Sequence, residues 1–353
     1  MRNIIIKIIL IVVAGTFLFY LFYSPTLKFD VLQNPKKVTR TTEPINSKKE
    51  APTNLPKLEK GVGTFVGQDV SNFIKSYGYP TRIYDSSFSY ENQIYKDKDQ
   101  YYILGVKNNK IVSVYATGMM ADIHPFKVGM QSDVVFNGNQ LVSEPIIKTS
   151  KGQYRFELSE VDIKTLPLIE YDNVFAQVFI DRISNKIMAI QYMNKEHLIE
   201  VQPYAMSYNG ETIERTANKD EHKLSEVAKN SNKVLTMFEL TNMMRVIQGR
   251  DPINSNEQIN NIAQKEVLRL MDANEETPTV VNDEIGKELD QRNISYKNLA
   301  QNIAANFDDV PTLINSWLNS EHHRENLLDK SVNEMGGGVS GDYYSLIFIK
   351  NEK

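Results

Sequence analysis

The sequence predicts an α+β protein in three parts: an N-terminal transmembrane helix, a tandem-repeat α+β middle domain and a C-terminal α-β-α sandwich. Three observations carry this. An uncharged apolar run occupies residues 8–23, a loose pattern of Val-Gly followed shortly by Asp-Val and later by a hairpin occurs twice in the middle, and amphipathic helices precede a glycine-rich pair of strands at the end. At 353 residues the chain has room for two or three domains, and 41% hydrophobic with 24% charged residues is globular composition. The formal charge of -4, with no Lys/Arg stripe beyond the first forty residues, gives no footprint for a phosphate backbone and excludes nucleic acid as a partner class. Zero cysteines exclude disulfides, thiolate metal sites and a cysteine nucleophile.

Residues 1–23 read as the membrane anchor. Lys7 can snorkel, so Ile4, Ile5 and Ile6 join the run and the stretch reaches the roughly 20 residues that a bilayer span needs. Leu21-Phe22-Tyr23-Ser24-Pro25 lacks the small residues of a cleavage site, which predicts an uncleaved anchor. Charge counting does not orient it, because Arg2 and Lys7 precede the span while Lys28, Lys36, Lys37 and Arg40 follow it. Residues 24–60 are polar, carry Pro25, Pro35, Pro44, Pro52 and Pro56, and show no helical or strand period, so they read as a disordered stalk.

Residues 61–204 form the middle domain. Val66-Gly67-Gln68-Asp69-Val70 and Val128-Gly129-Met130-Gln131-Ser132-Asp133-Val134 each open a helix-like stretch. Each is followed by a hairpin, one turning through Lys107-Asn108-Asn109-Lys110 and the other through residues 181–186. Two α+β units in tandem are expected. Tyr77, Tyr79, Tyr84, Phe88, Tyr90, Tyr95, Tyr101 and Tyr102 crowd the first unit; flat rings suit a sugar face, but strand tyrosines are more often half-buried. His124 and His197 have no neighbouring ligands in sequence and read as core or surface residues. Gly67, Tyr77-Gly78-Tyr79-Pro80-Thr81-Arg82, the Tyr90 to Tyr95 spacing and the Asn-Asn hairpin together resemble the CAP-associated N-terminal domain of membrane-anchored Gram-positive proteins, a module that implies architecture more than activity.

Residues 205–230 read as a linker and 231–353 as the last domain. Val234, Leu235, Phe238, Met243, Met244 and Ile247 mark one helix, stopped at Gln248-Gly249-Arg250-Asp251-Pro252. A second is expected from Asn254 or Ser255 to Asp272, with Glu257 in capping-box position to Asn254, and a third over residues 312–320. The end of the chain reads as two strands about a Ser340-Gly341-Asp342 turn. Gly336-Gly337-Gly338 lacks the Gly-Lys-Ser/Thr and helix of a phosphate cradle, so tight packing is the better account.

Four blocks in order resemble the CAP superfamily (SCP or PR-1-like; cysteine-rich secretory, antigen 5, pathogenesis-related). They are Leu240-Thr241-Asn242-Met243-Met244-Arg245; Ala300-Gln301-Asn302-Ile303-Ala304; Trp317 to Leu328 with Ser320, His323, Arg324 and Asn326; and Met335-Gly336-Gly337-Gly338. The resemblance implies the CAP/SCP fold, export, and therefore a single-pass membrane protein of the Gram-positive cell envelope with its C-terminal domains extracellular. It also implies a cleft of two histidines and one or two acids that binds a divalent metal in some members.

Here that cleft is depleted. The second histidine maps to His323, but the acid of the second block maps to Gln301 and the acid of eukaryotic members to Ser320. The first histidine should fall near residues 274–277, where Asn274-Glu275-Glu276-Thr277 offers none, and His322 is adjacent in sequence to His323 and points elsewhere as a rule. Gln301 keeps a glutamate's shape without its basicity. The expected cleft is therefore His323, Gln301, Ser320, His322 and Glu276, with no catalytic residue, metal or cofactor assigned. Its expected ligand is cell-wall material or another envelope protein. The alternative is a hydrolase of peptidoglycan or peptide with His323 as acid/base, helped by Glu275, Glu276, Asp308 or Glu321, or by Ser320 as nucleophile. No nucleophile elbow or oxyanion hole supports that dyad.

Overall fold

Two short strands, β1 (Leu32–Gln33) and β2 (Val38–Arg40), come first among the described residues. This computed structural model describes residues 31–34, 38–41, 55–137, 141–210, 226–272 and 282–352. A 3-10 turn over Val62–Phe65 leads to α1 (Val70–Tyr77), whose first amides are capped by Asp69 accepting from the Ser71 N–H. Strands β3 (Arg82–Asp85), β4 (Glu91–Asp97), β5 (Gln100–Lys107) and β6 (Lys110–Thr117) then form a meander. After them come α2 (Asp133–Phe136), β7 (Ile146–Thr149), β8 (Gly152–Glu157), α3 (Glu160–Thr165) and β9 (Leu168–Glu170), and then β10 (Phe175–Asp181), β11 (Lys186–Met193), α4 (Lys195–Val201) and β12 (Ala205–Gly210). The C-terminal part runs α5 (Glu226–Ile247), β13 (Asn254–Ser255), α6 (Glu257–Asp272), α7 (Asn282–Gln291), β14 (Tyr296–Ala305), α8 (Val310–Asn319), α9 (Glu321–Leu328), β15 (Glu334–Ser340) and β16 (Tyr343–Asn351).

The doubled sequence pattern is a repeat in space, and the two units are fused into one domain. They share a seven-stranded sheet of order β3-β4-β5-β6-β11-β10-β9, in which β6 and β11, one from each hairpin, pair antiparallel at the join. A lone hairpin buries too little to stand in water, so the two hairpins complete each other. The Gly67 N–H donates to Ile111 O at 2.7 Å and the Ile111 N–H to Gln68 O at 3.0 Å; Gly129 and Ile187 repeat this at 2.8 Å, with the Ile187 N–H to Met130 O at 2.9 Å. Both glycines sit at positive φ, 86° and 83°, where a side chain would be strained, which explains the paired Val-Gly. Asn108 and Asn109, at φ 52° and 60°, make the tight hairpin turn. Tyr84, Phe88, Tyr95, Tyr101 and Tyr102 are all buried, and of the eight crowded aromatics only Tyr79 stands well out in solvent, so they form core rather than a sugar-facing array.

The C-terminal part has the sandwich order. Its sheet runs β1-β14-β16-β15-β13, and β16 alternates across it: Tyr344, Leu346 and Phe348 enter the core of α5, α8 and α9, while Ile347 and Ile349 join Ile259, Ile262 and Ala263 of α6 and Ile285 and Leu289 of α7. The three glycines of β15 are the points of closest approach. A Cβ on Gly336 or Gly338 would fall 2.4 Å from Ile259 or the Ala263 backbone, and one on Gly337 would fall 2.6 Å from Met237. The larger core cluster continues from α5 and α8 into Tyr101, Phe179 and Met188 of the middle sheet, so the two parts share one interior.

Three expectations are corrected. Within residues 24–60, expected as a stalk, β1 pairs parallel with β14 (Leu32↔Ala304) and β2 parallel with β12 (Met206↔Val38). Both partners offer open edges, and strands of two or three residues are too short to show a period. Residues 205–230, expected as a linker, contribute β12 and the first turn of α5, residues 211–225 lying outside the described residues. Asn254 does not cap α6. It pairs with Glu334 in β13, and Asn256 accepts from the Gln258 N–H instead. The anchor expected over residues 1–23 lies outside the described residues, among which no helix is long and apolar enough to cross a membrane.

Candidate functional site

The candidate cleft lies where β14 meets the junction of α8 and α9. Asp309 caps α8 by accepting from the Thr312 N–H at 2.8 Å, with Pro311 in its first turn, and the helix buries Trp317 completely before ending at Ser320. Ser320 also begins α9, and one turn on, the His323 ring folds back so that Nδ1 lies 2.8 Å from Ser320 Oγ. The ring is stacked nearly parallel to Trp317, with centroids 6.4 Å apart.

The block residues around it are consumed in holding this geometry. Asn302 Nδ2 donates to the His323 carbonyl at 2.9 Å, and Asn326 Nδ2 donates to Asn302 Oδ1 at 2.9 Å and to Gln301 O at 3.2 Å. Asn242 brackets the Ile253 peptide with two bonds of 2.9 Å, and the buried Arg245 guanidinium donates to Asp251 O and Leu327 O. These side chains pair with carbonyls of α9, of β14 and of the loop after α5.

Burial pulls the His323 imidazole down to about 4, His322 beside it pushes the same way, and a backbone hydrogen bond at Ile303 opposes both. At neutral pH the ring is uncharged. Gln301 is buried on β14; its Nε2 donates to Ser345 Oγ at 2.8 Å rather than to His323, and its Oε1 has no hydrogen-bond partner. Exchanging the two ends of the amide would move the orphan to nitrogen without removing it. His322 is half-buried, its ring 6.3 Å from that of His323. Glu276 lies outside the described residues, as do Asn274, Glu275 and Thr277. Ser320 and His323 are thus directly bonded, Gln301 joins them through Asn302 and Asn326, and among the described residues no three His, Asp or Glu side chains are grouped to share a metal.

Arg324 stands in the third block, but its partner outside the domain has no mark in the sequence. Arg324 donates through Nη1 to Leu318 O at 3.0 Å and reaches Asp181 Oδ1 of β10 at 2.8 Å, so the loop that carries His323 is anchored on the middle sheet. Asn319 is held the same way, its Oδ1 accepting from the Arg182 N–H at 2.9 Å and its Nδ2 donating to Ile180 O at 2.8 Å. His197, by contrast, lies buried on α4, edge-on to Tyr90, with neither ring nitrogen hydrogen-bonded.

Comparison with known proteins identifies both parts of the chain. A CAP-associated N-terminal family model matches residues 66–204, and the model of the cysteine-rich secretory protein family matches residues 238–349. The chain is 37% identical to a cysteine-rich secretory protein of Staphylococcus aureus whose crystal structure superposes with a TM-score of 0.78, covering 92% of this chain and 100% of that one. An extracellular protein containing an SCP domain from Bacillus anthracis superposes with a TM-score of 0.74 at 26% identity, over 87% of this chain and 99% of that one. The uncharacterized membrane protein YlbC of Bacillus subtilis is 29% identical over 99% of both chains.

Proposed function

The chain belongs to the cysteine-rich secretory protein family, and we propose that it is a membrane-tethered, extracellular member whose CAP cleft binds an envelope ligand without cutting it. The observation that carries this reading is that His323 is neutral and that Gln301 sets an amide where the family block has an acid. A neutral imidazole held against Ser320, with an amide rather than a carboxylate at position 301, offers hydrogen-bond capacity but no carboxylate base. Such a set suits a polar, uncharged group such as a sugar hydroxyl or a peptide amide. The single-pass anchor over residues 1–23 is supported by the apolar run 8–23, and the outward orientation by relatives named as membrane and extracellular proteins.

The test is co-sedimentation of residues 24–353 with purified, protein-free cell-wall sacculi. The fragment begins at 24 because β1 and β2 belong to the folded part. Saturable binding that His323→Ala weakens, without release of muropeptides, is the expected result. Muropeptide release lost in His323→Ala would replace binding by hydrolysis. Absence of binding would redirect the search to an envelope protein.

A further inference from the structure

We infer that residues 31–34 and 38–41 form a strap that holds the cleft-bearing sheet against the membrane, so that the CAP cleft serves ligands attached to the bilayer rather than material far out in the wall. This rests on the anchor reading above and on the pairing of β1 and β2.

The strap is stitched at both ends. Leu32 and Gln33 extend the CAP sheet alongside Ala304 and Ala305, and Val31 is buried in a small cluster with Leu270, Ile303 and Ala305. Asn306 Nδ2 donates to Gln33 Oε1 at 2.6 Å. Five residues on from Gln33, β2 adds to the other sheet next to β12, and the Thr41 N–H donates to Tyr208 O at 2.9 Å. The first part of the fold that the chain reaches after the anchor is therefore the C-terminal domain, although the middle domain comes next in sequence.

Chain length then fixes the height. Seven residues, 24–30, lie between Tyr23 and Val31, and eight Cα-to-Cα steps of at most about 3.6 Å each put the start of the strap within about 30 Å of the end of the anchor. Gln301 lies three residues along β14 from the partner of Leu32, about 10 Å further at strand rise. A free stalk over residues 24–60 could instead extend roughly 120 Å and would deliver the middle domain first. The difference is large enough to decide what the cleft can touch.

The chain contains no cysteine, so a single one can be placed and labelled cleanly. Met271→Cys is suited to this, because Met271 is 41% exposed and follows Leu270 of the strap cluster. The full chain carrying this dye is reconstituted in phosphatidylglycerol/phosphatidylcholine vesicles with an acceptor on the lipid headgroups. Flotation after alkaline washing first establishes whether the chain is anchored. Energy transfer is then compared with a second form carrying a 40-residue Gly/Ser insertion between Tyr23 and Val31, which raises the mean reach of that segment from about 15 Å to about 38 Å. Strong transfer that falls several-fold on insertion is expected. Equal, weak transfer in both forms on floating vesicles would overturn the strap while leaving the anchor standing. Loss of the chain from the vesicles would overturn the anchor, and the strap's membrane role with it.

Discussion

Arg324 Nη1 lies 2.8 Å from Asp181 Oδ1, joining the helix that presents His323 to a fully buried carboxylate of the neighbouring domain. Asp181 also accepts from the Ile183 and Ser184 amides, from Ser184 Oγ and from Gln248 Nε2. The carboxylate therefore keeps partners when the guanidinium is removed, which moderates the loss. Arg324→Ala is expected to cost about 2 kcal/mol, the scale of a charged hydrogen bond in a buried pair. Asp181→Ala should cost more, because Arg324, Gln248 and two amides lose their acceptor together. Urea midpoints of the two variants give the order, and faster proteolysis between the domains should accompany both. Equal midpoints to the parent would show that the shared hydrophobic core alone fixes the domains.

The same interface shows what the sequence could and could not disclose. Trp317, the glycine run and the asparagines of the blocks are legible because each serves a local or family-wide need, and both hairpins are legible from alternation and their turn residues. Arg324–Asp181 is not, because nothing near either residue marks a partner 143 positions away. The strap is hidden for a different reason: a strand of two residues borrows its stability from an existing edge and leaves no pattern of its own. In the cleft, Ser320, His323 and Gln301 are legible from their blocks. That Ser345 occupies the Gln301 amide is not, since that contact is set by strand register.

Packing at the glycine strand makes a sharp prediction. An added Cβ at Gly338 would meet the backbone of Ala263 and Gln264, and helix backbone cannot turn aside as a long side chain can. Gly338→Ala should therefore push β15 off α6 and strain the Val339 N–H to Gln264 bond, at a cost of about 1–3 kcal/mol or more. Gly341→Ala is the contrasting variant: nothing lies within 4 Å of its Cβ, and its penalty is the positive φ of 63° alone. Thermal melts should place Gly338→Ala well below it.

Acid lability should trace in large part to His197. Its ring is buried without a hydrogen bond, and burial, reinforced by Lys107, holds its folded value down to about 3. In the unfolded chain it takes up a proton near the ordinary 6.5 or so. Between these values the unfolded state binds the extra proton, so stability declines as pH falls from about 6.5 toward 3. His197→Phe, which preserves a ring against Tyr90, removes that decline. At pH 4 it should recover on the order of 3 kcal/mol relative to its effect at pH 7.5. Parallel loss of stability in both proteins down to pH 4 would assign the lability elsewhere, with His323 the next candidate because its folded value is also depressed.

Gln301→Glu restores the family's acid in a site whose present contacts were built around an amide. The Ser345 hydroxyl would turn to donate to the new carboxylate, but no cation takes part in the hydrogen bonds of Gln301, Ser345, Asn302 and Asn326, and the position is only 4% exposed. Burial disfavours the charged form, so the folded value of the introduced carboxyl rises above the ordinary glutamate value of about 4.3. A group raised in this way contributes stability below its unfolded value and loses it as pH climbs through the folded one. The variant should match the parent near pH 4 and fall behind it by about 1–3 kcal/mol at pH 7.5. Chemical denaturation at the two pH values reads this directly. A variant as stable as the parent at pH 7.5 would mean that water or a cation reaches position 301, and that the cleft is more open to charged ligands than its hydrogen bonds suggest.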